Sequence, residues 1–188
     1  ISASSVAFAV LGFALFALAG LAEGWGRGAA LIAAAICIQL RLLANLLDGM
    51  VAVEHGKGSA HGPIWNELPD RLADALFIVG AGYAASAAAP QLGPALGWLA
   101  AILAVTTAYV RELGRGLGFP ADFSGPLAKP RRMALLTAAA LVSLFEGLWS
   151  GRGEVLLIAV GLVALGSAAT VVVRTRNLAR RLDERSRS

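Results

Sequence analysis

Six long apolar runs, separated by charged or Gly/Pro-containing punctuation, constrain this chain more than any other feature. They cover about 6–21, 29–47, a stretch ending at Ala89 before Pro90, 96–110, 133–149 and 155–173. A helix needs about 20 residues to cross a bilayer, so six crossings use about 120 residues. Of the 188 residues, that leaves too few for a separate soluble catalytic domain, and any chemistry must be built into the bundle. The composition agrees: 57% hydrophobic and 15% charged, against roughly 45–50% and 25% in soluble domains. The expected fold is all-α, a polytopic membrane protein with six transmembrane helices and a polar cavity at the cytoplasmic side. It forms one domain over 1–188, with a basic C-terminal tail from about 174 to 188. Several runs are shorter than a full span, as expected where helix ends line a polar cavity.

Charge sets the orientation. Of the 16 Lys and Arg residues, 14 fall between runs two and three, between runs four and five, or in the tail; only Arg27 and Arg152 lie on the other side. The positive-inside rule then places both termini and the charged connections in the cytoplasm, in a multi-pass protein of the inner membrane. The net charge of +4 has no folded basic domain to present it, so nucleic acid is not an expected partner. The six Arg of the tail read as an anchor on anionic lipid. The single cysteine, Cys37, excludes a disulfide framework and a cysteine-rich zinc site. The chain opens with Ile1 rather than Met, as a fragment or processed chain would, and run one lacks the basic flank and cleavage site of a signal peptide.

An acidic stretch between runs two and three is harder to attribute to packing. Asn45 and Asp48 are three apart; Asn66, Asp70 and Asp74 are spaced by four, with Glu67 three before Asp70. On helices these residues share faces, so two helix ends bring carboxylates and amides to the cytoplasmic mouth. Oxygen ligands of this kind suit Mg²⁺, Mn²⁺ or Ca²⁺. The same spacing equally suits a solvated cluster neutralised by Arg41 and Arg71.

The pattern Asn45-x2-Asp48-Gly49-x2-Ala52-x9-Gly62-x3-Asn66-x3-Asp70 resembles the signature of the CDP-alcohol phosphotransferases, Asp-x2-Asp-Gly-x2-Ala-Arg-x8-Gly-x3-Asp-x3-Asp. Phosphatidylglycerophosphate and phosphatidylinositol-phosphate synthases belong to that family. Asn45 and Asn66 stand where the first and third Asp are usual, and Val53 where the Arg is usual. The resemblance implies a site in which four Asp bind divalent metals, Mg²⁺ or Mn²⁺, that hold the pyrophosphate of a CDP-linked lipid. Carried over, Asp48 becomes a metal ligand and Asp70 both a ligand and the base for the acceptor hydroxyl. Asn45 and Asn66 can offer carbonyl oxygens, while Glu67 and Asp74 are extra carboxylates able to restore the missing charge. Gly49, Ala52 and Gly62 leave room for the nucleotide. The implied reaction moves a phosphatidyl or similar phospho-alcohol group from CDP-diacylglycerol to an acceptor alcohol, releasing CMP, in phospholipid synthesis. The family's homodimer is expected with it. The Asn substitutions also allow a catalytically altered member that binds lipid or nucleotide, or acts as a scaffold.

A second cluster lies between runs four and five, where Arg111, Arg115, Lys129, Arg131 and Arg132 fall within 22 residues. Arginine and lysine in such density suit a phosphate; positive-inside charge alone is the other reading. The region resembles the family's Arg-Glu and Gly-Lys-x-Lys-Thr segments, with Ala128 for Gly and Arg132 for Thr. That resemblance makes Arg111, Arg115, Lys129 and Arg131 candidates for an acceptor phosphate. His55 and His61 have no zinc spacing and read as loop residues. Gly114 to Gly118 reads as a flexible loop, and Glu146 as a snorkelling residue at the outer end of run five. Trp25, Trp98 and Trp149 fall near span ends, as interface aromatics do.

Overall fold

In the computed structural model, residues 2–54, 62–149 and 151–187 are described, and every regular element among them is helical. The helices are α1 (Ser2–Leu21), α2 (Gly24–Glu54), α3 (Gly62–Ala84), α4 (Leu92–Gly116), α5 (Lys129–Val142) and α6 (Glu154–Arg187). Short 3₁₀ turns follow α3 at Ala85–Ala87 and α5 at Ser143–Trp149. Helix α1 packs on α2 and α3, α3 on α4, α4 on α6, and α5 closes the bundle against α2 and α6. Five helical segments are long and apolar enough to cross a membrane. Helix α3 is not among them, because its first half carries Glu67, Asp70, Arg71 and Asp74. Its second half, 75–84, is apolar.

The core is built largely from small residues. Ala34, Ala73, Ala81 and Ala100 are buried beside Phe16 and Phe77. In lipid, close backbone approach and van der Waals packing drive helix association, and small side chains permit both. A tight crossing is α3 on α4, where a Cβ added to Gly82 would lie 2.7 Å from Gly97 Cα and 2.8 Å from the Gly93 carbonyl oxygen. Many large apolar residues point outward: Leu21, Ile102, Leu148 and Leu165 are all exposed. Trp25, 96% exposed, and the half-exposed Trp98 and Trp149 sit at helix ends.

Two helices outrun their apolar stretches. The 31 residues of α2 span about 46 Å at 1.5 Å per residue, more than the hydrocarbon thickness of about 30 Å. Its last turns therefore carry Asn45 and Asp48 past the apolar segment. The 34 residues of α6 continue through Arg187, so the basic tail is the end of a helix. This part of α6 is strapped to the loop between α4 and α5. Arg174 donates to the carbonyl oxygens of Ser124 (2.9 Å) and Thr107 (2.7 Å). Asn177 donates to Asp122 and Ser124, at 3.1 Å each, and Thr170 Oγ1 accepts from Leu127 N. Arg185 lies over the Phe119 ring. The flexible loop expected at Gly114 to Gly118 is mostly helix: α4 runs through Gly116, and the chain turns at Gly118, with φ +87°.

The opposite end of the bundle holds a buried ion pair. Glu146 is 2% exposed and accepts from Ser143 Oγ (2.7 Å), Gly153 N (2.7 Å), Val155 N (2.8 Å) and Arg27 Nη2 (3.2 Å). It does not snorkel. The carboxylate caps the first turn of α6, whose free N–H groups and dipole favour an anion. Arg27 also donates to the Ala19 carbonyl at 2.7 Å, which ties α1 to the same cluster. A cavity of about 840 Å³ opens beside it.

Candidate active site

At the other end, α2 and α5 converge on Asp70 of α3, and α4 joins through Arg111 and Glu67. Pro69 lacks an N–H, so the helical ladder of α3 loses one bond just before this residue. Oδ1 of Asp70 accepts from Asn45 Nδ2 at 2.6 Å and from Arg41 Nη2 at 3.0 Å. Oδ2 accepts from Lys129 Nζ, at the first turn of α5. Arg41 Nη2 also donates to the Asp70 carbonyl oxygen at 3.1 Å. Asn45 turns its own oxygen toward Ser5 Oγ, 3.2 Å away on α1, so it presents its amide N–H groups to Asp70.

One turn further along α3, Asp74 is 2% exposed and lies between two buried arginines. Its Oδ1 is 3.1 Å from Arg41 Nη2 and its Oδ2 is 3.3 Å from Arg132 Nη2. Arg41 is fully buried and Arg132 nearly so. Buried charges persist only when paired, and here the two aspartates supply that pairing. Among the described residues, Arg41 Nε and Nη1 and Arg132 Nε have no hydrogen-bond partner. The Arg41–Asp74 contact is close enough for an ion pair but lacks hydrogen-bond geometry, as Asp74 Oδ1 has no hydrogen-bond partner either.

Toward solvent the network widens. Glu67 Oε2 accepts from Arg71 and, at 2.8 Å, from Arg111 Nη2. Arg111 also pairs with Glu112 at 2.8 Å and stacks over Phe123, 5.3 Å from the ring centre. Arg115 pairs with Glu112 at 3.1 Å. Arg131 is exposed and donates to the Pro126 carbonyl at 2.8 Å. The acidic and basic stretches of the sequence thus form one interlocked set. Glu67, Asp70, Asp74, Arg111, Lys129 and Asn45 come together; Arg115 and Arg131 stand at its rim. Asp48, Gly49, Ala52, Gly62 and Asn66 lie on α2 and α3, but their side chains are outside the described residues, as are His55 and His61. In the adjoining loop, burial would raise the Asp122 carboxyl, but hydrogen bonds from Ser124 and Asn177 and nearby Arg181 outweigh it and hold it below the usual carboxylate range.

The sequence reads Arg41 as neutralising the acidic stretch, Arg132 as part of the basic cluster and Arg174 as a charge of the tail, whereas all three are buried in the fold. Arg41 carried a signal, because a cation interrupting an apolar run one turn before Asn45 needs a partner inside the bundle.

Fold and site together define a class: an apolar helical bundle with a carboxylate set clasped by arginine and lysine at one end. Within that class the fold is that of the phosphatidylinositol phosphate synthase of Mycobacterium tuberculosis. The chain superimposes on the structure of that enzyme in complex with manganese and citrate with a TM-score of 0.73, at 23% identity, covering 94% of this chain and 78% of that one. A second structure of the enzyme, with CDP-DAG bound, gives 0.68 at 22% identity over 93% and 85%. No family model and no curated protein matches the sequence.

Proposed function

We propose that the chain is a six-span CDP-alcohol phosphotransferase of the inner membrane, with termini and site in the cytoplasm, that transfers a phosphatidyl or related group from a CDP-linked lipid to an acceptor alcohol. The observation that carries this reading is the meeting of the signature residues: Asn45 on α2 and Asp70 on α3 are joined at 2.6 Å, within the fold of a synthase solved with CDP-DAG. The sixth crossing is α3, whose apolar half packs between α1 and α4 while its charged half stays at the mouth.

Oxygen donors of this kind suit a divalent cation, Mg²⁺ or Mn²⁺, although among the described residues no three carboxylates stand together to hold one. Asp70, Asp48 and Glu67 would hold it, with Asn66 able to add a carbonyl oxygen; when bound, it would neutralise the donor's pyrophosphate and the departing CMP. Asp74 does not fit this role, since Arg41 and Arg132 flank both its oxygens. Asn45 orients Asp70 through its N–H groups instead. With Oδ1 held by Asn45 and Arg41, the Oδ2 of Asp70, which Lys129 holds in this structure, would take the proton of the acceptor hydroxyl once Lys129 turns to a phosphate. The alkoxide oxygen then bonds to the lipid-bearing phosphorus, the bond from that phosphorus to CMP breaks, and CMP leaves with the electron pair. Arg111, Lys129, Arg115 and Arg131 hold phosphate oxygens of donor or acceptor. Gly49, Ala52 and Gly62, small by residue type, would leave room for the nucleotide. An apolar groove of about 600 Å³ between α2 and α5, lined by Ile36, Leu40, Leu43, Leu46 and Leu141, offers an acyl chain a place beside the site.

The test is CMP release from CDP-diacylglycerol by purified protein, with Mg²⁺ or Mn²⁺ and a panel of free and phosphorylated alcohols. Release that Asp70→Asn abolishes is the expected result. No release with any acceptor removes the transferase reading. It would favour a lipid- or nucleotide-binding member, which the pairing of Glu67, Asp70 and Asp74 with the chain's own cations also suits.

A further inference from the structure

The groove between α2 and α5 is apolar along its walls except at one level. There Gln39 of α2 donates to Thr137 Oγ1 of α5 at 2.9 Å, with Leu40, Leu43 and Leu141 lining the groove around the pair. Gln39 lies inside the apolar segment of α2 and is exposed, and Thr137 is half-buried. The bond uses one N–H of the Gln39 amide. Among the described residues, its second N–H and its carbonyl oxygen have no partner, and neither has the Thr137 hydroxyl proton. Hydrocarbon offers such groups no hydrogen bond, so leaving them open toward lipid is costly. A bond whose task is to hold two helices together would turn both groups into the contact between them. Here the spare donors lie along an open groove, and they call for an acceptor that arrives with the groove's occupant.

Depth identifies that acceptor. Gln39 stands six residues before Asn45 on α2, which puts it about 9 Å deeper at 1.5 Å per residue. Thr137 stands eight residues after Lys129 on α5, about 12 Å deeper by the same rise. A glycerolipid whose reacting phosphorus stands at Asp70 carries an ester carbonyl five bonds further on, about 6 Å at ordinary bond lengths. A hydrogen bond to that carbonyl adds about 3 Å. We propose that Gln39 and Thr137 form a polar step that donates to an ester carbonyl of the lipid donor, so that the groove favours ester-linked over ether-linked chains. An ether-linked lipid has no carbonyl to offer at that level. This rests on the proposed transferase site and names the linkage class of the lipid that the site takes.

Binding is read without turnover. The full chain in detergent, with Mg²⁺ and no acceptor, is titrated calorimetrically with CDP-diacylglycerol and with its dialkyl ether analogue of equal chain length. The native protein should bind the diester about tenfold more tightly; equal affinities overturn the proposal. Gln39→Leu should weaken diester binding to the level of the diether and leave diether binding unchanged. An equal loss for both lipids would show a helix contact only and would also overturn it. Thr137→Val, of nearly equal volume, should lower the same preference in part, and an unchanged preference in that variant overturns the paired step. CMP release with equal affinity for both lipids would spare the transferase reading and end this one; an ester preference without CMP release would do the reverse.

Discussion

Single side chains at the two ends of the bundle carry opposite tasks. Glu146 is a buried carboxylate with a guanidinium, a hydroxyl and two backbone N–H groups around it, all of them partners within the fold. Glu146→Ala leaves Arg27 without its partner and the start of α6 uncapped. The expected loss is about 3 kcal/mol, measured as unfolding of detergent-solubilised protein, with the site's ligand binding otherwise intact. Asp70 and Asp74 look alike in the sequence, at the same helical spacing, yet they differ in what surrounds them. Asp70 keeps one oxygen toward the mouth, while Asp74 is enclosed by Arg41 and Arg132. Asp70→Asn should therefore abolish turnover at nearly full stability, and Asp74→Asn should lower stability first. Equal effects of the two changes on unfolding would contradict this division. The acidic stretch was legible from the sequence, and so was its neutralisation by Arg41 and Arg71. Which carboxylate faces the mouth was not, because that depends on how far α5 leans over α3.

Elements hold these residues by contact at their crossings. The α3–α4 crossing has no room for a Cβ at Gly82, and this crossing sets the position of the Asp70 turn relative to Arg111. Gly82→Val should cost about 3 kcal/mol through overpacking, and activity should fall with it; thermal unfolding of the purified variant checks the size. The loop between α4 and α5 gains its order from α6, through Arg174, Asn177 and Thr170. Asp122 contributes to that strap as a carboxylate whose folded value lies below its unfolded one. Its stabilisation is complete above the unfolded carboxylate range and fades as pH falls through the depressed value. Melting measured from neutral to acid pH should thus drop more in the native protein than in Asp122→Asn. The end of α6 read as a lipid anchor from its six Arg. Counting cations along a chain does not reveal that Arg174 turns inward, since the carbonyls of Thr107 and Ser124 come from other elements.

For the whole molecule, the groove between α2 and α5 ends at Leu46, beside the site, and runs back to Ile32. That interval covers about 21 Å of helix, near the length of a common acyl chain. Filling it with Leu43→Trp should raise KM for a long-chain CDP-lipid several-fold and leave kcat within about twofold. Steady-state kinetics with long- and short-chain donors would expose the difference, and equal effects on both would remove the groove from substrate binding. The sequence by itself determined that the chain is an apolar helical bundle, and that carboxylate and amide residues recur at helical spacing around Asn45 and Asp70. Span length, residue spacing and charge count are local properties, and they survive any arrangement of the helices. Only the tertiary structure decided that Arg41, Arg132 and Arg174 are internal, that Asn45 offers its N–H to Asp70, and that Glu146 closes the far end. Each of these depends on a partner from a distant part of the chain. In a medium with little water, a charged group takes whatever partner the packing brings within reach.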